Sequence, residues 1–259
     1  MIRTPLLTAL TLLVAAPSLP QSAARPTPDA GARAYRAIEP ISWTYDNQSY
    51  PGGTSWQLRF KHDRSNSSIG SDGAADVRQV IDTIAHAASG EAVSFNLARE
   101  AGTLACSGRT QGNGEAGGTC RFEPNNRFAA ELARRDIAPD DSDDMLSLAL
   151  VDAHLGTVDA LTGDGFRFDD SGDLIAVSAL DVTPAYASDL RQAGLKVDDL
   201  GDLIAAKALK VDGPWLGDMA RAGYPNLAIG QAIQMRALGV TPDYAVRMAR
   251  VLHAVGEIQ

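Results

Sequence analysis

The chain is poor in cysteine, histidine and aromatic residues: 2 Cys, 4 His and 6% Phe, Trp and Tyr in 259 residues. No two of His62, His86, His154 and His253 have metal-ligand spacing, and H-E-x-x-H is absent, so no metal ligand set is expected. No G-x-S-x-G, Walker loop or G-x-G-x-x-G follows a plausible strand. No catalytic residue and no cofactor site is therefore assigned, and the expectation is a protein that is not an enzyme. Basic residues are outnumbered, 23 Lys and Arg against 32 Asp and Glu, net charge −9. That balance argues against nucleic acid, whose binding rests on neutralised phosphates, and no polybasic patch is present for anionic lipid.

The N-terminus carries one short apolar run. Arg3 supplies a positive start, and the stretch from Pro5 to Ala16 is shorter than the roughly 20 residues a bilayer requires. Residues 1–24 read as a secretory signal, with small residues Ser22 and Ala24 before a cleavage site between Ala24 and Arg25. No Cys lies nearby to take a lipid. Removing this segment takes away only Arg3, leaving 22 basic against 32 acidic residues, a net −10. No later segment is apolar enough to span a membrane. With the Ala-, Asp-, Arg- and Gly-rich texture, the expectation is a bacterial periplasmic or secreted protein. Residues 25–40 have little periodicity and several Pro and Ala, and read as a linker.

The strongest positive signal is a repeat. Phe128, Thr157, Tyr186, Trp215 and Tyr244 are each 29 positions apart. Leu132, Leu161, Leu190, Met219 and Met248 keep the same register, as do Gly165, Gly194 and Gly223. A period in the range of about 20–50 residues marks stacked supersecondary units. In one unit Thr183 caps a helix and Pro184 fits its first turn, where a missing N–H costs nothing. Tyr186, Leu190 and Gly194 share a face, Gly194 suits the left-handed stop, and Leu195 folds back on the last turn. A second helix carries Leu200, Leu203, Ile204 and Ala208. The next unit repeats this with Asp212, Trp215, Met219 and Gly223. The last begins Thr241-Pro242 with Tyr244 and Met248. Two copies are clear. The earlier ones are degenerate, with Asp136 in the glycine register and His154-Leu155 in the Thr-Pro place.

Ahead of the repeats the pattern changes. Trp56, Leu58, Phe60 and His62 alternate with polar residues, as do Val93, Phe95 and Leu97, the signature of half-buried strands. Between them Val77, Val80, Ile81, Ile84 and Ala88 mark one helix face, ended by Gly90. Residues 103–122 read as a hairpin turning near Asn113-Gly114. Pairing Leu104 with Phe122 sets Cys106 opposite Cys120 and Gly108 opposite Gly118, since each pair sums to 226. Opposed cysteines at cross-strand spacing, in a chain expected to be exported, predict a disulfide. No Cys-x-x-Cys marks a redox pair.

The run Asp140, Asp141, Asp143 and Asp144 lacks the calcium-loop pattern and reads as helix capping, with Asp169-Asp170 and Asp198-Asp199 doing the same work. Tyr186, Trp215 and Tyr244 read as core between repeats rather than as a stacking ladder for a ligand.

The segments VTPAYASDLRQAGL, DLIAAKAL and VTPDYAVRMARVL resemble repeats in the extracytoplasmic tails of BlaR1-like M56 membrane proteins. The preceding VSFNLAREAGTLACSGRTQGNGEAGGTCRFEPNNRF resembles the sheet segment before such repeats. The peptidase part, with its zinc motif and membrane helices, has no counterpart here. The resemblance implies an envelope sensing or interaction module and carries over no catalytic residue.

The sequence thus predicts an α+β protein: a small disulfide-stapled antiparallel sheet domain with one helix over 41–124, then an α-helical repeat array of 29-residue helical hairpins over 125–259. The expected function is binding of a protein or peptide partner in the envelope, in sensing or stress response. The rival is a hydrolase or small-ligand-binding protein with a cleft between the two parts. A concave pocket with convergent polar groups would favour the rival. An extended apolar groove or patch would favour the first.

Overall fold

Ile41, Trp43 and Tyr45 are buried while Ser42 and Thr44 are exposed, the period-two pattern of a strand covered on one face. This strand organises the sheet. The computed structural model describes residues 34–50, 53–63, 65–70, 75–111 and 114–248. The signal, its Ala24/Arg25 cleavage site and Asn113 of the expected turn lie outside the described residues. The first elements are β1 (Ile38–Tyr50), β2 (Gly53–His62), β3 (Ser65–Ile69), α1 (Ala75–His86), β4 (Ala92–Arg99), β5 (Gly102–Thr110) and β6 (Ala116–Pro124). They form one six-stranded sheet in the order β3-β2-β1-β6-β5-β4, antiparallel throughout.

β1 begins inside the stretch read as a linker. Ile38 is buried in the sheet, and Tyr35 just before it is buried with its hydroxyl donating to Pro139 O at 2.5 Å. The β5–β6 register is the expected one: Leu104 opposes Phe122, Cys106 opposes Cys120 and Gly108 opposes Gly118. The two sulfurs are bonded.

α1 buries Val77, Val80, Ile81 and Ile84, as its spacing predicts, but it stops at His86. Ala88 is exposed and outside the helix, and Gly90 sits in a separate turn. The end of β5 takes these residues over. Gly90 N donates to Thr110 O at 3.0 Å, and the Thr110 hydroxyl donates to Ala88 O.

The second half consists of short helices: α2 (Asn126–Ala133), α3 (Ser142–Leu150), α4 (Leu155–Gly163), α5 (Ser171–Ala179), α6 (Pro184–Gln192), α7 (Leu200–Ala208), α8 (Gly213–Arg221) and α9 (Ile229–Ala237). Residues 242–248 are helical as well. Helices of 8 or 9 residues are too short to persist alone, so packing and caps hold them. Asn125, His154, Thr183 and Asp212 are the N-caps of α2, α4, α6 and α8, each 29 after the last. Asp141, Asp170, Asp199 and Ala228 head α3, α5, α7 and α9 at the same interval. The acidic pairs thus cap helices as expected, Asp141 accepting from Asp143 N and Asp144 N.

The helix stops recur too. Asp136, Gly165, Gly194 and Gly223 have positive φ after the first helix of each unit, and Asp152, Asp181, Lys210 and Gly239 after the second. The following residue bonds back across the last turn, as in Leu195 N to Leu190 O and Val182 N to Val177 O. The degenerate early copies are therefore complete in backbone. Asp tolerates the left-handed region better than most residues, which lets Asp136 replace glycine.

Gly194 has φ +93, and nothing lies within 4 Å of an added Cβ. A substitution there meets only backbone strain. Gly194→Val is expected to cost about 1–2 kcal/mol and lower the melting temperature by about 2–8 °C. An unchanged thermal melt would remove the assigned helix stop.

First helices pack on first helices (α2 on α4, α6 on α8) and second on second (α3 on α5, α5 on α7, α7 on α9). α3 also packs against β3, β5 and β6. One core joins the sheet, α1, Phe128 and Leu132 of α2, Met145 and Leu148 of α3, and Leu174 of α5. A second runs along the array from Leu161 to Ala245. The sheet core therefore continues past Pro124 into the helices. Among the described residues no single helix is long and apolar enough to cross a membrane.

Candidate functional site

The place where the sheet meets the array is concave and polar. β4 ends at Arg99, and Glu100 lies in the turn to β5. α3 ends at Leu150, after which Asp152, with φ +55, redirects the chain into α4. These segments meet through charge. The Arg99 side chain is only 7% exposed, donates through both terminal nitrogens to Asp76 of α1, and has Nε 3.3 Å from Asp152 Oδ1. Glu100 accepts from Leu155 N at 3.0 Å, capping α4 from outside the helix. Its other oxygen accepts from His154 Nδ1 at 2.9 Å, and His154 Nε2 lies 3.5 Å from Asp152. The chain of contacts Asp76–Arg99–Asp152–His154–Glu100 ties α1 and the β4–β5 turn to the start of the array. Without Arg99, Asp76 would lose its ion-pair partner and Asp152 would keep only His154 beside it.

Two adjoining cavities open here. One, of about 320 Å³, lies between β3, Arg99 and the ends of α3 and α5. The other, of about 270 Å³, lies between α4, α5 and the start of α6. Both are lined by Asp152, Ser178 and Asp181. Ser178 Oγ is buried with no hydrogen-bond partner among the described residues. Asp181 is exposed and stands at φ +52. Asp152, His154, Thr157 and Asp181 place polar groups around the smaller cavity, which can orient a small ligand. Among the described residues no group of three or more His, Cys, Asp or Glu is placed to hold a metal ion.

Burial opposes ionisation of Asp76, but hydrogen bonds and charge from Arg99 outweigh it and hold the carboxyl below its usual value. A lowered folded value contributes stability above the unfolded carboxylate range, and that contribution is lost as pH falls through the folded value. Thermal melts between neutral pH and about pH 3 should therefore show a loss that Asp76→Asn reduces. Parallel curves for the two proteins would contradict the pairing.

The residues singled out in the sequence lie elsewhere, mostly inside the array. Leu190 and Met219 are fully buried, and Gly194 and Gly223 end their helices. Tyr186 is half-buried, donates from its hydroxyl to Val211 O at 2.7 Å, and has Lys207 Nζ 4.8 Å from its ring centre. Burial and the nearby Asp212 push its hydroxyl up to about 12. Trp215 is buried with the Arg236 guanidinium 4.8 Å from its ring centre. Trp215 lies in the array's core, and Tyr186 packs against that core while partly exposed. The core reading fails for Tyr244, which is 46% exposed, with Met248 beside it in the sequence register at 37%. Sequence reasoning missed Arg99, Glu100, Asp152, Ser178 and Asp181. A signal existed for some of them: Asp152 and Asp181 are 29 apart in the left-handed series, and Ser178 falls 29 before Lys207.

No protein-family model, curated protein or solved structure matches the chain. The resemblance to the tails of BlaR1-like membrane proteins rests on the quoted residues alone.

Proposed function

We propose that the protein is an exported, non-catalytic binding protein of the cell envelope, and that its site is the cleft where the sheet meets the helical array. The observation that carries this reading is the pair of cavities sharing Asp152, Ser178 and Asp181, with the buried Arg99 guanidinium in one wall. Polar groups converging on a concave surface support a small-ligand reading. The Cys106–Cys120 bond supports export, since such bonds persist in oxidising compartments.

A second reading, capture of a protein or peptide partner by the repeats, is favoured by one feature. Leu238, Tyr244 and Met248 are the large apolar residues standing exposed among those described, and all lie at the far end of the array.

Dialysis of the full chain against a low-mass cell extract, followed by mass spectrometry of what is retained, tests the first reading. The expected result is a small compound retained by the native chain and lost by Ala160→Phe, which fills the cavity from the exposed face of α4. Retention of nothing, with crosslinks to another protein centred on residues 238–248, would favour the second.

A further inference from the structure

The 270 Å³ cavity occupies a particular place in the repeat. The next two units carry a ring and an overlying cation at the corresponding register. In the unit starting at Thr183, the ring of Tyr186 lies there, covered by Lys207. In the unit starting at Asp212, the ring of Trp215 lies there, covered by Arg236. Ring and cation are 21 residues apart in both, and each pair is 29 from the other. The unit starting at His154 keeps the backbone but not the side chains: Thr157 stands in the ring register and Ser178 in the cation register. Both residues line the cavity. The cavity thus lies at the register where the next two units carry a ring and a cation, and this unit carries two small polar residues.

The walls retain the partners such a pair would meet. The Tyr186 hydroxyl donates to the carbonyl of Val211, and Val182, 29 residues earlier, lines the cavity. Ser178 Oγ is buried and unpartnered among the described residues, in the place from which Lys207 projects in the next unit. Asp152 and Asp181 put two carboxylates on the lining. A dry cavity of about 150 Å³ accepts benzene, so this volume has room for a substituted ring.

We infer that the cavity between α4, α5 and α6 binds a small aromatic amine, a phenol-type ring carrying an alkylammonium, which restores from outside the ring-and-cation pair that the later units supply from within. The ring lies over Thr157 and the exposed Ala160 of α4. The ammonium faces the Asp152 and Asp181 carboxylates. This inference rests on the cleft being a ligand site.

Tyramine is the probe, titrated calorimetrically into the full chain, with phenol and propylamine as half-probes. The expected result is saturable binding with Kd on the order of 1 mM or tighter, and binding at least about tenfold weaker for either half-probe. Thr157→Tyr combined with Ser178→Lys should refill the slot, leave the melting temperature at or above that of the parent, and abolish tyramine binding. Asp181→Asn, a milder change that the left-handed backbone there tolerates, should weaken binding about tenfold without altering the fold. If the double variant does not fold, Asp181→Asn and Ala160→Phe decide the matter. Absence of saturable tyramine binding overturns the inference, as does binding undiminished in a folded variant. A cleft that retains a non-aromatic compound from cell extract yet ignores tyramine overturns this inference alone. A cleft that retains nothing overturns the reading beneath it as well.

Discussion

Gly118→Ala lowers the melting temperature by about 8–16 °C, corresponding to about 4 kcal/mol. A Cβ at residue 118 would lie 2.0 Å from Ser107 O and 2.5 Å from the Cα of Gly108 across the strand pair. Both neighbours are backbone, so no side chain can swing away. Gly108 is equally confined, its added Cβ falling 2.2 Å from Gly117 O and 2.7 Å from the Trp43 ring. The Trp43 indole N–H donates to Ser107 O at 3.1 Å and its ring meets Phe95 edge-on at 5.1 Å. Relief therefore requires opening the β1–β6–β5 ladder at its middle. Chemical denaturation of the variant gives the free energy directly, and a loss below about 1 kcal/mol would show that the strands part easily there.

Removing both Cys106 and Cys120 as alanine costs about 3–4 kcal/mol. The bond closes a loop with a sequence separation of 14, and releasing that loop returns entropy to the unfolded chain. Both side chains are also buried in the shared core. Reduction of the native protein should produce most of the same loss. Equal stability of the oxidised and reduced proteins would mean the hairpin is held by its ladder and core alone.

Much of this fold is written in local chemistry. The β5–β6 register follows from alternation and the glycine pair, and the helix caps and stops follow from Thr183-Pro184, Asp212 and Gly194. Two strands show why other parts were harder to read. β1 carries a clear alternation in Ile41, Trp43 and Tyr45, yet it follows directly on a Pro- and Ala-rich stretch and is not among the strands read from the sequence. β3, Ser65–Ile69, has one large apolar residue and no alternation, so only its pairing with β2 makes it a strand. The length of α1 was misjudged because Ala88 fits the helical spacing, while Thr110, far along the chain, claims that turn.

The cleft was less legible still. Arg99 and Glu100 at a strand end look like ordinary surface charges until α1 and the α3–α4 turn meet them. Thr157 looks like a defect in an aromatic series until the next unit shows what it omits. Long-range packing brings these residues together around one cleft, and period and composition do not encode that packing. By contrast Tyr186 and Trp215, prominent in the sequence, serve the array's own cohesion through burial and an overlying cation.

Amide chemical-shift mapping with the retained ligand tests the location of the site most directly. The expected result is a set of shifts at residues 152–160 and 177–184, lost in Ala160→Phe. Shifts confined to residues 238–248, with the cleft amides unmoved, would contradict the account and place binding at the apolar end of the array.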